Sequence, residues 1–178
     1  MRRVLHVGPC DSPGGMAKVM QILAENPPDG WESEMISSHS VSGLFRKIGV
    51  WKKVRRFLKD NKNKFDMIHI HSAAGISYRR KLNLAKLAYN LGLPTIMHIH
   101  SGQFDIMAGK RKNIKKELSD FTVIVLNDYW KDKLQPIIGQ CSVISNPIDP
   151  KIKKGDTEKR KSKQLLLLGR ADPVKGHD

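Results

Sequence analysis

Cysteine is nearly absent from this chain of 178 residues: Cys10 and Cys141 stand far apart, and neither belongs to a C-x-x-C pair. That argues against a disulfide framework or a cysteine-based zinc site and fits a reducing cytoplasm. Aromatic residues are also sparse, at 6%. No stretch nears the roughly 18 uninterrupted apolar residues of a membrane-spanning helix. The basic start, MRRVLHVGPC, is not expected to open a signal peptide, because its apolar run is short and Gly8-Pro9 follows at once. Acidic residues are outnumbered, 17 Asp and Glu against 32 Lys and Arg, for a formal net charge of +15. Such a charge bears on partners rather than on fold. It admits nucleic acid, anionic lipid or phosphorylated ligands. Nucleic acid gains nothing further, because no base-reading motif and no interleaved aromatic platform accompanies the charge.

What is present is a globular composition, 39% hydrophobic and 28% charged, long enough for one domain with a real core. Short runs rich in Val and Ile alternate with helical stretches. Strands are expected at 3–8, 33–37, 66–71, 95–100, 122–127 and 142–145, and helices at 14–25, 44–61, 79–91, 112–118 and 128–138. This alternation predicts an α/β fold, a Rossmann-like doubly wound parallel sheet covered on both faces. Residues 1–150 form that domain. Residues 151–163 (KIKKGDTEKRKSK) read as a charged linker, and 164–168 (QLLLL) as the first strand of a second domain spanning 164–178.

In such a sheet, ligands bind beyond the carboxyl ends of the strands, near the switch point. The loop GPCDSPGG, Gly8 to Gly15, follows the first strand. Gly14 and Gly15 there would let backbone N–H groups and a positive helix end face a phosphate or a sugar, although a turn needs glycine for geometry alone too. The loop is not the G-x-G-x-x-G dinucleotide fingerprint.

Two strands end in H-I-H, at His69 and His71 and at His98 and His100. Alternation places both members of each pair on one face, with His71 and His100 outermost. Those two are candidates to hydrogen-bond a hydroxyl or phosphate, while His69 and His98 read as satisfied buried histidines. Zinc is the tempting alternative, but no carboxylate or cysteine stands nearby, so no metal site is assigned. Asn127 ends another strand and is an acceptor-side candidate.

In GRADPVKGHD, Arg170 and Lys175 present two cations at a strand end, able to grip a diphosphate. The helix from Leu44 joins an apolar face bearing Phe45 and Trp51 to a cationic one that includes Lys52, Arg55 and Arg56. Covering the sheet is its main expected role. Contact with an anionic membrane is a second one, and it would place the chain peripherally on the inner face of the cell membrane.

Together these residues resemble the retaining glycosyltransferases of family 4, which have the GT-B fold. The matching features occur in the family's order. They are Gly14-Gly15, the D-x-x-H strand from Asp66 to His69 with His71 after it, His100-Ser101-Gly102, Asn146-Pro147-Ile148-Asp149, and the G-R-x-x-x-x-K-G run of the tail. The resemblance implies an acceptor-side domain followed by the start of a nucleotide-sugar-binding domain. It implies that Gly14 and Gly15 lie against the donor and that His100 is the catalytic-site histidine bonded to the transferred sugar. Arg170 and Lys175 would hold the diphosphate in place of a metal. Partners would be a nucleotide-sugar donor and a glycan or lipid-linked acceptor, in surface-glycan synthesis. The family's paired donor-domain glutamates would fall beyond Asp178, so the chain is expected to be inactive alone as a hexosyltransferase. The alternative is a non-catalytic module that binds a membrane surface or an anionic ligand.

Overall fold

A computed structural model describes residues 1–39, 44–153, 155 and 163; for residues 44–47 it describes the backbone alone. The chain divides into Met1–Ile148 and Asp149–Asp178. In the second unit, the Asp149 side chain accepts from the Lys151 N–H at 3.0 Å and its carbonyl from the Ile152 N–H at 2.9 Å, which makes a tight turn. The strand expected at 164–168 lies outside the described residues.

The first unit is α/β. In chain order it runs β1 (Arg2–Gly8), α1 (Gly15–Glu25), β2 (Trp31–Ser37), α2 (Leu44–Asp60), β3 (Met67–Ser72), α3 (Ile76–Asn90) and β4 (Thr95–Ile99). It continues with α4 (Phe104–Gly109), α5 (Ile114–Leu118), β5 (Thr122–Val125), α6 (Asp128–Ile138) and β6 (Ser142–Val143). The strands form one six-stranded sheet in the order β2-β1-β3-β4-β5-β6, and every pair is parallel. This is the Rossmann-like, doubly wound sheet expected. The order reverses between β1 and β3, so the ligand crevice of such a sheet falls beyond the ends of these two strands.

Strand alternation divides the sheet chemically. Leu5 and Val7 of β1, Ile68 and Ile70 of β3, Met97 and Ile99 of β4, and Val123 and Val125 of β5 face one side and are buried. Val54 and Leu58 of α2, Leu82 and Ala85 of α3, Phe104 of α4, Leu118 of α5 and Leu134 of α6 join them in one core. Each fully buried aliphatic side chain there contributes roughly 1.5–3 kcal/mol. The opposite face carries His6 and Gly8, His69 and His71, and His98. Helix α1 packs there through Met20, whose sulfur would lie 2.2 Å from a Cβ added at Gly8. Glycine at position 8 is what lets α1 approach β1 so closely.

Several elements differ from expectation. Strand β2 begins two residues earlier, at Trp31, α5 begins two residues later, at Ile114, and β5 and β6 each end two residues earlier, at Val125 and Val143. The six-residue helix α4 is an element the sequence pattern does not predict. Helix α3 begins at Ile76, three residues before the expected start at 79.

Candidate functional site

Three strand ends meet at the crevice. The loop after β1 leads into α1, where Gly14 is the N-cap with φ 148°. That backbone conformation favours glycine, and a Cβ there would meet nothing within 4 Å. Gly15 is likewise open to space. The first-turn N–H groups of α1 have no side-chain cap and point outward with the positive helix end.

Beside this loop the histidines form a ladder. Parallel register sets His6 opposite His69, and His71 opposite His98. His6 Nδ1 lies 3.2 Å from His71 Nε2, and His71 Nδ1 lies 3.0 Å from His100 Nε2. A second pair joins His69 Nε2 to His98 Nδ1 at 3.2 Å. Burial keeps all five rings neutral at pH 7. It pushes His6 and His98 down to about 4, and His100 to about 3 with the help of His98's charge. Burial and the neighbouring histidines hold His69 and His71 well below their ordinary value.

His100 is half-buried at the edge, and its Nδ1 makes no hydrogen bond among the described residues. His71 does not line the edge as its strand-end position suggested. It is fully buried, and His6 and His100 occupy its two ring nitrogens, so it reaches a ligand only through His100. The inner pair is partly as expected: His98 is buried, but its Nε2 has no hydrogen-bond partner among the described residues. Two triplets, His6–His69–His71 and His71–His98–His100, bring one ring nitrogen from each residue within 4.8 Å of the others. That spacing would admit a divalent cation, but these triplets contain neither a carboxylate nor a thiolate.

Other candidates separate. Asn127 is the N-cap of α6, and its Oδ1 accepts from the Trp130 N–H at 3.0 Å. That bond gives its Oδ1 a structural role at the start of α6. Asp66 sits at the far end of β3, where it accepts from the Arg3 N–H at 2.7 Å and pins β3 to β1. Trp51 is half-buried against the core, with the Arg55 guanidinium 4.6 Å above its ring. Lys52 and Arg56 are exposed. The Phe45 side chain, Arg170 and Lys175 lie outside the described residues.

Sequence reasoning missed three residues. His6 stands alone in an apolar strand, and only the register with β3 brings it to the ladder. Arg80 and Lys81 lie on α3 beside the loops that follow β1 and β2. The signal for Lys81 was available: it shares the helical stripe of Tyr78, Leu82 and Ala85, all buried.

A hollow of about 430 Å³ at the amino ends of β5 and β6 is lined by Thr122 and Ser142, away from these loops. No described helix is long and apolar enough to cross a membrane.

No family model matches the sequence, and no curated protein matches it. Among solved structures, the chain is similar to a probable GTP-binding protein engB at 11% identity and a TM-score of 0.40, over 76% of this chain and 98% of that one. It is similar also to PhdJ bound to a substrate intermediate, at 9% identity and a TM-score of 0.36, over 78% of this chain and 50% of that one.

Proposed function

We propose that this chain is the acceptor-side part of a retaining glycosyltransferase that joins a nucleotide-sugar to a glycan or lipid-linked acceptor. One observation carries the reading. The uncapped start of α1 at Gly14-Gly15 and the half-buried ring of His100 both stand at the carboxyl edge of the sheet, by its switch point. The N–H groups of α1 suit the negative charge of a donor. His100, held neutral, can exchange a hydrogen bond with a sugar hydroxyl through Nδ1 without becoming an acid at pH 7. In transfer with retention, the bond from the sugar's anomeric carbon to the diphosphate breaks as the acceptor oxygen bonds to the same face. The diphosphate leaves with the bonding electron pair, and its departing oxygen takes up the proton that the acceptor hydroxyl gives up. Arg170 and Lys175 are assigned to the leaving diphosphate by resemblance alone, and no metal is assigned.

An NMR titration of the 178-residue chain with UDP-glucose, GDP-mannose and UDP-N-acetylglucosamine tests this. The reading expects at least one donor to shift the amides of Gly14 and Gly15 and the ring of His100, in 0.3 M salt and equally with EDTA present. Shifts that appear only at exposed lysines and vanish with salt would sink it.

A second reading, docking on an anionic membrane, draws on the exposed Lys52, Lys53 and Arg56 around an open hollow on α2. Flotation with phosphatidylglycerol vesicles, against phosphatidylcholine alone, tests it. Equal recovery with both would remove it.

A further inference from the structure

Beside the glycine loop lies a hollow of about 510 Å³, bounded by the loop after β1, the residues just past β2 and the first turns of α3. Its polar lining is Ser12, Ser38, His39, Ser77, Arg80 and Lys81, with no carboxylate among the described residues that line it. Lys81 is 5% exposed, and its Nζ donates to Ser38 Oγ. An ammonium has three donors, and among the described residues that bond engages one of them. The Nε of Arg80 is buried with no hydrogen-bond partner among the described residues. Two helices also begin here. Met16, in the first turn of α1, and Ser77, in the first turn of α3, both line the hollow, and neither helix has a side-chain cap at its start. The N–H groups of those turns add partial positive charge to two cations.

We propose that this hollow binds the phosphate group of a phosphorylated acceptor, held by Arg80 and Lys81. That the ligand is an acceptor rests on the glycosyltransferase reading; that it carries phosphate does not. Two neighbouring cations without a carboxylate match a dianion. The phosphate oxygens can accept from the guanidinium of Arg80, from the Lys81 Nζ hydrogens not engaged by Ser38 among the described residues, and from the Ser77 hydroxyl. Burial and the charge of Arg80 weaken the hold of Lys81 on its proton, as expected of a cation waiting for an anion. The volume exceeds what a lone carboxylate would need and falls in the usual range for a ligand pocket. Pro9, Pro13 and Met16 form an apolar wall on which the rest of the ligand would lie.

Calorimetric titration at low salt with inorganic phosphate, glucose 1-phosphate, farnesyl phosphate and plain glucose tests the assignment. At least one phosphate-bearing ligand should bind, and glucose should not. Glucose 1-phosphate ahead of farnesyl phosphate identifies a soluble sugar phosphate, and the reverse identifies a lipid carrier. Arg80→Gln and Lys81→Met should each weaken binding about tenfold or more, while the exposed surface variant Lys112→Gln should not. Lys81→Met carries the test should Arg80→Gln fail to fold. Failure of every phosphate ligand, or binding by Lys81→Met equal to that of the parent chain, would overturn the site. Donor-induced shifts at Gly14 and His100 in Lys81→Met report on the transferase reading separately.

Discussion

Lys81 sits where helix periodicity calls for an apolar residue, and replacing it should stabilise the protein. Burial first, and then the charge of Arg80, lower its pKa from 10.5 to about 7. An unfolded chain therefore holds a proton at pH 7–10 that the folded chain gives up readily. The sign follows: the unfolded state binds more protons in that window, so stability rises with pH from about 7 to 10.5. At pH 7 the shift corresponds to a penalty on the order of 4 kcal/mol. Lys81→Met keeps the length and removes the charge. It gives up the bond to Ser38, worth about 1 kcal/mol, although Ser38 is half-exposed and can turn to water. The expected net gain at pH 7 is about 1–3 kcal/mol, or several degrees in melting midpoint for a chain of this size. Urea unfolding of both chains at pH 7.0 and 9.5 measures it, and the difference between them cancels other titrations. The gain should shrink to near zero at the higher pH. A variant destabilised at pH 7, or a gain equal at both values, would refute the reasoning.

Acid should unfold the protein early. A histidine with a depressed pKa contributes stability that is present above its unfolded value of 6.5 and lost as the pH falls through the folded value, here about 4 for His6 and about 3 for His100. Five such rings lose up to about 7 kcal/mol per pH unit against a total of roughly 5–15 kcal/mol. Circular dichroism should show cooperative unfolding between about pH 5.5 and 4.5, and a native spectrum at pH 4 would contradict a neutral ladder. Gly8→Ala sets a methyl 2.2 Å from the Met20 sulfur and 3.1 Å from His71 Cβ, and should cost about 1–3 kcal/mol in urea unfolding. Paired with Met20→Ala, its cost should be less than additive. Asn127→Ala should cost about 1 kcal/mol by loss of the α6 cap and should leave donor-induced shifts at His100 unchanged in the NMR titration.

The sheet was legible because its strands are buried on both sides and written in Val and Ile, as in TIMHI and TVIV. The position of His100 at the end of such a strand was legible for the same reason. What lay beyond reach depended on neighbours distant in sequence. His6 joins the ladder only because β1 pairs with β3 rather than ending the sheet. The depth of His71 depends on His6 and His100 closing over it from adjacent strands. Asn127 shows a different limit, since a strand end can equally be a helix start, and the residue type best suited to capping is also one suited to a ligand. Lys81 was hidden by a prior rather than by missing information, because lysine on a helix is ordinarily assigned to solvent.

The ladder makes a further demand on the edge residue. A neutral imidazole has one donor and one acceptor. His71 spends both, one nitrogen on His6 Nδ1 and the other on His100 Nε2. If His100 donates from Nε2, then His71 must accept at Nδ1 and donate from Nε2, and His6 must accept at Nδ1. All three are then protonated at Nε2, and the free Nδ1 of His100 is an acceptor. If the direction reverses, all three are protonated at Nδ1, and the same atom becomes a donor. Mixed tautomers would set two lone pairs or two hydrogens against each other at about 3 Å in a buried site. The choice at the edge is thus tied to His6, 65 residues before its partner His71. Long-range ¹H–¹⁵N correlation of the imidazoles at pH 7.5 should find one shared tautomer in the three rings. His6→Phe, which removes one end of the chain, should change the tautomer balance of His100 without moving its backbone amide. Mixed tautomers in the parent chain, or a His100 ring indifferent to His6→Phe, would show that the rings stack without sharing protons, leaving His100 to act alone.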